Sequence, residues 1–284
     1  MMAARRRLPE LVNFAAVLVL AAALVTAPLR DAGAGRSILT VRYIANAGML
    51  VSAAGRSVML DAPIRDGIAP YPTSPAAERE RLERAEPPYD GVDAVLITHW
   101  HEDHFSPEAV AAHLSRNGRA VVISSPEVAA RIRSAAPRLD RSRLLPVLPS
   151  QDSSMARRVG DLEVHVLRIR HNPARRVHEQ HVGFLIVTGE IAVLHVGDAD
   201  PTAGNFAVLR RLPTVDVALS PFWYLQSRSG RELVARVIRP ASIVAMHLPP
   251  GEADDLRRTV AAQLALRDRG GTARGPRAGT LTRA

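Results

Sequence analysis

The stretch Thr98-His99-Trp100-His101-Glu102-Asp103-His104 decides how this chain reads. Three imidazoles and the Asp103 carboxylate crowd one short loop, directly behind the apolar run Asp93–Thr98, which reads as a strand. A strand end is a rigid base, and a tight loop can turn alternate side chains toward a common centre. Neutral imidazole and carboxylate suit zinc and similar divalent ions. A hydrolytic zinc keeps three protein ligands and an open position, so four candidate donors in one loop point to two ions sharing it. A polar turn with incidental histidines is the bland alternative, and this density of donors argues against it.

Upstream of that loop, Ser37–Tyr43, Met49–Ser52 and Ser57–Leu60 read as strands. The last two are joined through Ala53-Ala54-Gly55-Arg56, and the third runs into Asp61. A short helix is predicted around Ala76–Ala85. Downstream, Ser106-Pro107 opens a helix to about Ser115, and a second Ser-Pro pair opens another over Pro126–Ala135. Strands are predicted at Ala120–Ser124, Leu144–Leu148, Leu162–Ile169, Val182–Thr188, Ile191–Val196, Val215–Ser220 and Ser242–Met246. Helices are predicted at about 203–211, over Arg231–Ile238 and at about 252–267. Early strands follow one another through short turns and later ones alternate with helices. That order implies two mixed β-sheets with helices outside, a layered α/β architecture.

Composition bounds the chemistry. All 37 basic residues of the 284 are arginine, and there is no lysine and no cysteine. Schiff-base and P-loop lysines, thiol nucleophiles, thiolate zinc ligands and disulfides are therefore excluded. A metal site must use His, Asp, Glu and backbone groups. The net charge of +9 admits an anionic partner, but the arginines are scattered without a basic block, so nucleic acid is disfavoured. Residues 1–34 carry Arg5-Arg6-Arg7, an apolar run from Leu11 to Ala27, and Ala32-Gly33-Ala34. This order is expected of a signal peptide cleaved after Ala34, or else of an uncleaved membrane anchor through 11–27. Residues 35–269 then form the working domain, and the Gly/Arg/Thr-rich tail 270–284 is expected to be disordered.

Through His99-x-His101-x-Asp103-His104 the sequence resembles the metallo-β-lactamase-fold hydrolase superfamily, over roughly residues 38–267. The likeness extends to Asp61 in "SVMLDAP", His171 after "EVHVLRIR", Asp198 in "LHVGDAD" and His247 in "SIVAMHLPP". The resemblance implies a four-layer αβ/βα sandwich with metals at one edge between the sheets. It implies that His99, His101 and His171 hold a first metal and that Asp103, His104 and His247 hold a second. Asp198 would lie between the two, and Asp61 would support the metal loop. The cofactor implied is two zinc ions, with another divalent metal possible, activating a water that Asp103 orients as a catalytic group. His101 stands where redox diiron relatives typically place Glu, which favours hydrolysis over oxygen chemistry.

The resemblance implies a hydrolase acting on a small-molecule ester, lactone, amide or phosphodiester, and the N-terminal segment makes it an exported one, periplasmic or secreted. "LDAP" and the short loops look like the lactonase-like branch, and the missing lysine disfavours a β-lactamase. A nuclease or nucleotide phosphodiesterase of the same fold is one alternative, and a membrane-tethered metal-bound binding protein is another. His178 and His181 compete with His171 for the third-ligand role, and either could instead line the pocket. Trp223 and Tyr224, in Phe222-Trp223-Tyr224, either wall the pocket or pack in the core. Arg175, Arg176 and Arg228 are candidates to clamp an anion. His113 is expected on a helix surface, while His165 and His195 read as structural.

Overall fold

A computed structural model describes residues 17–19, 24–28, 38–172 and 179–251. Two sheets of seven strands face each other. In the first, β2 (Leu24–Pro28), β3 (Ile38–Ala45), β4 (Gly48–Ala53) and β5 (Arg56–Leu60) run antiparallel, each to the next. Then β6 (Ala94–Ile97), β7 (Val121–Ser124) and β8 (Leu144–Pro146) continue from β5 in parallel. The second sheet starts with β1 (Val17–Val19), β14 (Ser242–Met246), β13 (Val217–Pro221) and β12 (Ile191–His195), all parallel. It ends with β11 (Val182–Thr188), β10 (Leu162–Arg168) and β9 (Ser154–Val159), which are antiparallel.

The strand period of two assigns each face. Ala94 and Leu96 of β6 enter the core between the sheets, whereas Val95 and Ile97 face outward. Val58 and Leu60 of β5 likewise point inward while Met59 points out. The outward residues pack with Leu82 of α1 (Ala76–Glu83), Val110 and Leu114 of α2 (Pro107–Arg116), and Val128 and Ile132 of α3 (Pro126–Ala135). The core cluster continues through the second sheet to Leu233 of α5 (Arg228–Leu233) and to Val234 and Ile238 beyond it. The short helix α4 (Trp223–Gln226) precedes α5. The result is the helix–sheet–sheet–helix layering expected from the sequence.

The helices predicted from Ser-Pro pairs form as expected. Ser106 Oγ accepts from Ala109 N at 3.3 Å, and Ser125 Oγ accepts from Val128 N at 3.3 Å. Several expectations need correcting. The helix predicted near 203–211 is a 3₁₀ segment, Gly204–Arg211. The one predicted over Arg231–Ile238 starts at Arg228 and ends in a π-helical turn, Val234–Ile238, closed by Arg239 at φ 52°. Strand β9 carries Arg157 and Arg158 on an exposed edge, so it has no apolar run to reveal it. His113 is fully buried rather than exposed, with Nδ1 2.7 Å from the Leu82 carbonyl. The predicted helix 252–267 and the tail 270–284 lie outside the described residues. So does most of the proposed export segment, of which Val17–Val19 and Leu24–Pro28 take places beside β14 and β3. Among the described residues no helix is long and apolar enough to cross a membrane.

Candidate metal centre

Each candidate donor leaves the end of a strand. Asp61 follows β5 at φ 41°, in the left-handed region that a non-glycine residue adopts only when its surroundings compel it. Its two carboxylate oxygens accept from Thr98 N at 2.8 Å and Thr98 Oγ1 at 2.7 Å. Oδ2 also lies 2.9 Å from His104 Nδ1. Asp61 thus sits beneath the His loop, pins its first turn and leaves His104 Nε2 turned toward the site. Burial opposes the negative charge of Asp61, but His104 alongside and the hydrogen bonds outweigh it and hold the carboxyl below its ordinary range.

The loop donors converge. His99 Nε2 is 2.8 Å from His101 Nδ1. Asp198, after β12, divides its oxygens. Oδ1 is 3.3 Å from His104 Nε2 and 3.2 Å from His247 Nε2, while Oδ2 is 3.7 Å from His171 Nε2. Asp103 Oδ2 is 3.2 Å from His247 Nε2. Three overlapping groups have donor atoms within 4.8 Å of one another: His99, His101, His171 and Glu179; His99, His104 and Asp198; Asp103, His104 and His247. All seven residues singled out in the sequence are therefore brought together, and Glu179 joins them.

The electrostatics suit a cation site. Burial opposes ionisation of Asp198, yet His247 and His104 hold its carboxyl well below the usual range. Burial likewise opposes charge on His104 and His247, and the neighbouring carboxylates raise both, His104 strongly. Burial and the adjacent His104 push His99 well down. His104 Nε2, both ring nitrogens of His171 and of His247, and Asp198 Oδ1 are buried without a hydrogen-bond partner among the described residues. Such orphaned atoms are costly in an interior. A divalent ion satisfies them, and an N/O donor set without thiolate fits zinc, manganese or iron.

His181 is not in the pocket. It is fully buried, and burial drives it down to about 3, so the ring is neutral. Its Nδ1–H donates to the Ile169 carbonyl at 3.1 Å, and its Nε2 accepts from Asp198 N at 3.1 Å, which seats Asp198 from behind. Gly197 makes this packing possible: at φ 54°, a Cβ there would meet His181 Nε2 and Thr98 at 2.8 Å. His171 continues from β10 and is held by a bridge to Ala199. His178, Arg175 and Arg176 lie outside the described residues. His171→Ala is expected to lose bound metal while His178→Ala keeps it. Elemental analysis of the two purified variants checks this, and the reverse outcome would contradict the assignment.

The pocket walls differ from expectation. Pro221 ends β13 and the chain turns at once into α4, which drives Tyr224 into the core. There its hydroxyl donates to the Ala199 carbonyl at 2.7 Å. Trp223 stacks edge-on against His247, with ring centroids 5.2 Å apart. Neither lines the cavity of about 460 Å³ above the donors, which is walled instead by Ile68, Tyr71, Trp100 and Glu102. Tyr71 meets the His247 ring edge-on at 4.0 Å, and Arg131 lies 4.4 Å over the Trp100 ring. Arg228 is exposed and paired with Glu232, so it clamps nothing here. His195 is structural, as expected, with Nε2 3.1 Å from the Ala47 carbonyl. His165 lies beside Glu163 at 2.9 Å.

Sequence reasoning missed Asn46. At φ 47° its Nδ2 donates to the carbonyl and to Oδ2 of Asp103, at 3.0 and 3.1 Å. Its own carbonyl accepts from His247 N at 3.0 Å. One residue of the β3–β4 turn thus ties Asp103 to His247. Only the residue's position in a turn marks it in the sequence.

The family model described as "Beta-lactamase superfamily domain" matches residues 66–266. No functionally curated protein matches the chain. Among solved structures, the chain is similar to Igni18, a metallo hydrolase from Ignicoccus hospitalis, at 18% identity and TM-score 0.53, covering 80% of this chain and 92% of that one. It is also similar to the metallo-beta-lactamase fold protein YhfI from Bacillus subtilis, at 17% and 0.51, covering 77% and 85%. CmlA beta-hydroxylase from Streptomyces venezuelae matches at 18% and 0.54, covering 82% of this chain and 51% of that one.

Proposed function

The chain belongs to the beta-lactamase superfamily, and from that premise we propose that it is an exported dinuclear metal hydrolase of small molecules. Zinc is the metal first expected, and the bond cleaved is that of an ester, lactone, amide or phosphodiester. The observation that carries the reading is Asp198, whose two oxygens face His104 and His247 on one side and His171 on the other. His99, His101 and His171 would hold one ion, and Asp103, His104 and His247 the other, with Asp198 shared. When bound, such ions activate water near neutral pH and stabilise the oxyanion developing on a carbonyl or phosphoryl centre.

The chain's own residues do the rest. Burial opposes charge on Asp103, but His247, 3.2 Å away, and His104 keep the carboxyl below its ordinary range, ionised and able to accept a hydrogen bond from water. Asn46 fixes its rotation. Ile68, Tyr71 and Trp100 offer apolar surface to the non-reacting part of the substrate, and about 460 Å³ is the size of a small-molecule pocket. The apolar run at 11–27 behind Arg5-Arg6-Arg7 supports export.

The test is a hydrolase substrate panel run with and without chelator, alongside elemental analysis of reconstituted full-length protein. Close to two metal equivalents and chelator-sensitive turnover are expected. Absence of any bound divalent metal would refute the reading. DNA or RNA cleavage with steep salt dependence would shift it to the nuclease alternative. A reporter fused behind residues 1–40 tests export separately, and a wholly cytoplasmic reporter would overturn that part alone.

A further inference from the structure

The three loop imidazoles each have one nitrogen turned into the site and the other held from behind. His99 Nδ1 is 2.9 Å from Thr98 Oγ1, whose own hydrogen goes to Asp61, so the ring donates there and keeps Nε2 free. His104 Nδ1 is held by Asp61. For His101 the geometry is reversed: Nδ1 faces His99, and Nε2 lies 2.7 Å from Glu179 Oε1. Glu179 lies in the segment that leads into β11 of the opposite sheet, 78 positions beyond His101 in the chain. Its carboxylate is 7% exposed, and Oε2 also lies 3.8 Å from His171 Nδ1.

The segment carrying Glu179 is braced on several sides. Arg168 donates to the carbonyls of Glu179 and His181, at 3.3 and 3.2 Å. Gln180 Oε1 accepts from Glu127 N at the start of α3, at 3.0 Å. Val182 N donates to the Thr98 carbonyl at 3.0 Å, next to the metal loop itself. A buried carboxylate held this firmly against an imidazole edge is well placed to choose which ring nitrogen carries the proton.

We propose that Glu179 is a positioning residue for the first metal: it accepts a hydrogen bond from His101 Nε2–H, and so presents Nδ1 as the ligand atom. The inference rests on the dinuclear reading above. In that role Glu179 stays one bond removed from the ion and differs from the seven direct donors.

The test uses full-length wild type, Glu179→Ala and Glu179→Gln, with zinc affinities measured by chelator competition. Glu179→Ala is expected to weaken one of the two ions by about 10- to 100-fold, the usual cost of losing such an outer partner, and to leave the other unchanged. Glu179→Gln, whose amide oxygen still accepts from Nε2–H, is expected to recover most of that loss. Long-range nitrogen–proton spectra of the zinc-loaded wild type supply a measurement that needs no variant to fold. They should show His101 protonated at Nε2, with His99 and His104 protonated at Nδ1. Wild-type affinities in Glu179→Ala, a Glu179→Gln variant as weak as Glu179→Ala, or His101 protonated at Nδ1 would each overturn this inference alone. A wild type that takes up no metal would take the dinuclear reading down with it.

Discussion

Replacing Asp103 with Asn is expected to lower turnover at least about a hundredfold, the loss typical of misplacing a catalytic group. The substitution nearly preserves shape but removes a negative charge and one acceptor role. Asp103 Oδ2 lies 3.2 Å from His247 Nε2 and accepts from Asn46 Nδ2 at 3.1 Å. An amide with its NH2 in the place of Oδ2 faces Asn46 donor against donor and cannot act as a ligand beside His247, and one with its oxygen there still lacks the negative charge. The ion held by His99, His101 and His171 should survive, and the ion held with His104 and His247 should weaken. KM should change much less, because the apolar wall of Ile68, Tyr71 and Trp100 is untouched. Steady-state kinetics on a substrate from the panel, paired with metal analysis, check this. Near-wild-type turnover with both metals present would contradict the mechanism.

The second large effect falls on folding. Asp61→Ala removes the acceptor for Thr98 N, Thr98 Oγ1 and His104 Nδ1 together, all fully buried. Each stranded donor costs about 1–3 kcal/mol, and removing one partner of a buried charged pair typically costs about 3–5 kcal/mol. We expect a loss of about 3–5 kcal/mol, since the three donors share one site and their costs do not add fully. Denaturant unfolding of the metal-free protein measures it. That choice separates the support of the loop from the stability conferred by bound metal. A change below about 1 kcal/mol would mean that Asp61 does not hold the loop.

The sequence by itself determined the half of the site that lies within one loop. His99, His101, Asp103 and His104 sit within six residues, and a strand running into them leaves little freedom in where they go. His171, Asp198 and His247 were legible for a related reason: each follows an apolar strand, and parallel strands of one sheet end along one edge, so donors at strand ends gather there. The sequence favoured His171 over His178 and His181 because it directly follows an apolar strand. Tertiary structure seated His181 between Ile169 and Asp198 and brought His171 to the donors.

The same limit explains the other differences. Whether Trp223 and Tyr224 face a pocket or the core depends on the direction in which the chain leaves Pro221, and Tyr224 was drawn under the sheet. Tyr71, in a proline-rich stretch with no periodicity, became a pocket wall because its loop folds over His247. Asn46 and Glu179 carry no local pattern at all. One is a turn residue and the other a charge between loops, and each acquires its role from a partner more than fifty residues away in the chain. Strand periodicity is a local property, written in which residues alternate. In the proposed role, which nitrogen of His101 faces the metal is set by a carboxylate from the loop ahead of β11, and only the packing of the two sheets brings that carboxylate within 2.7 Å.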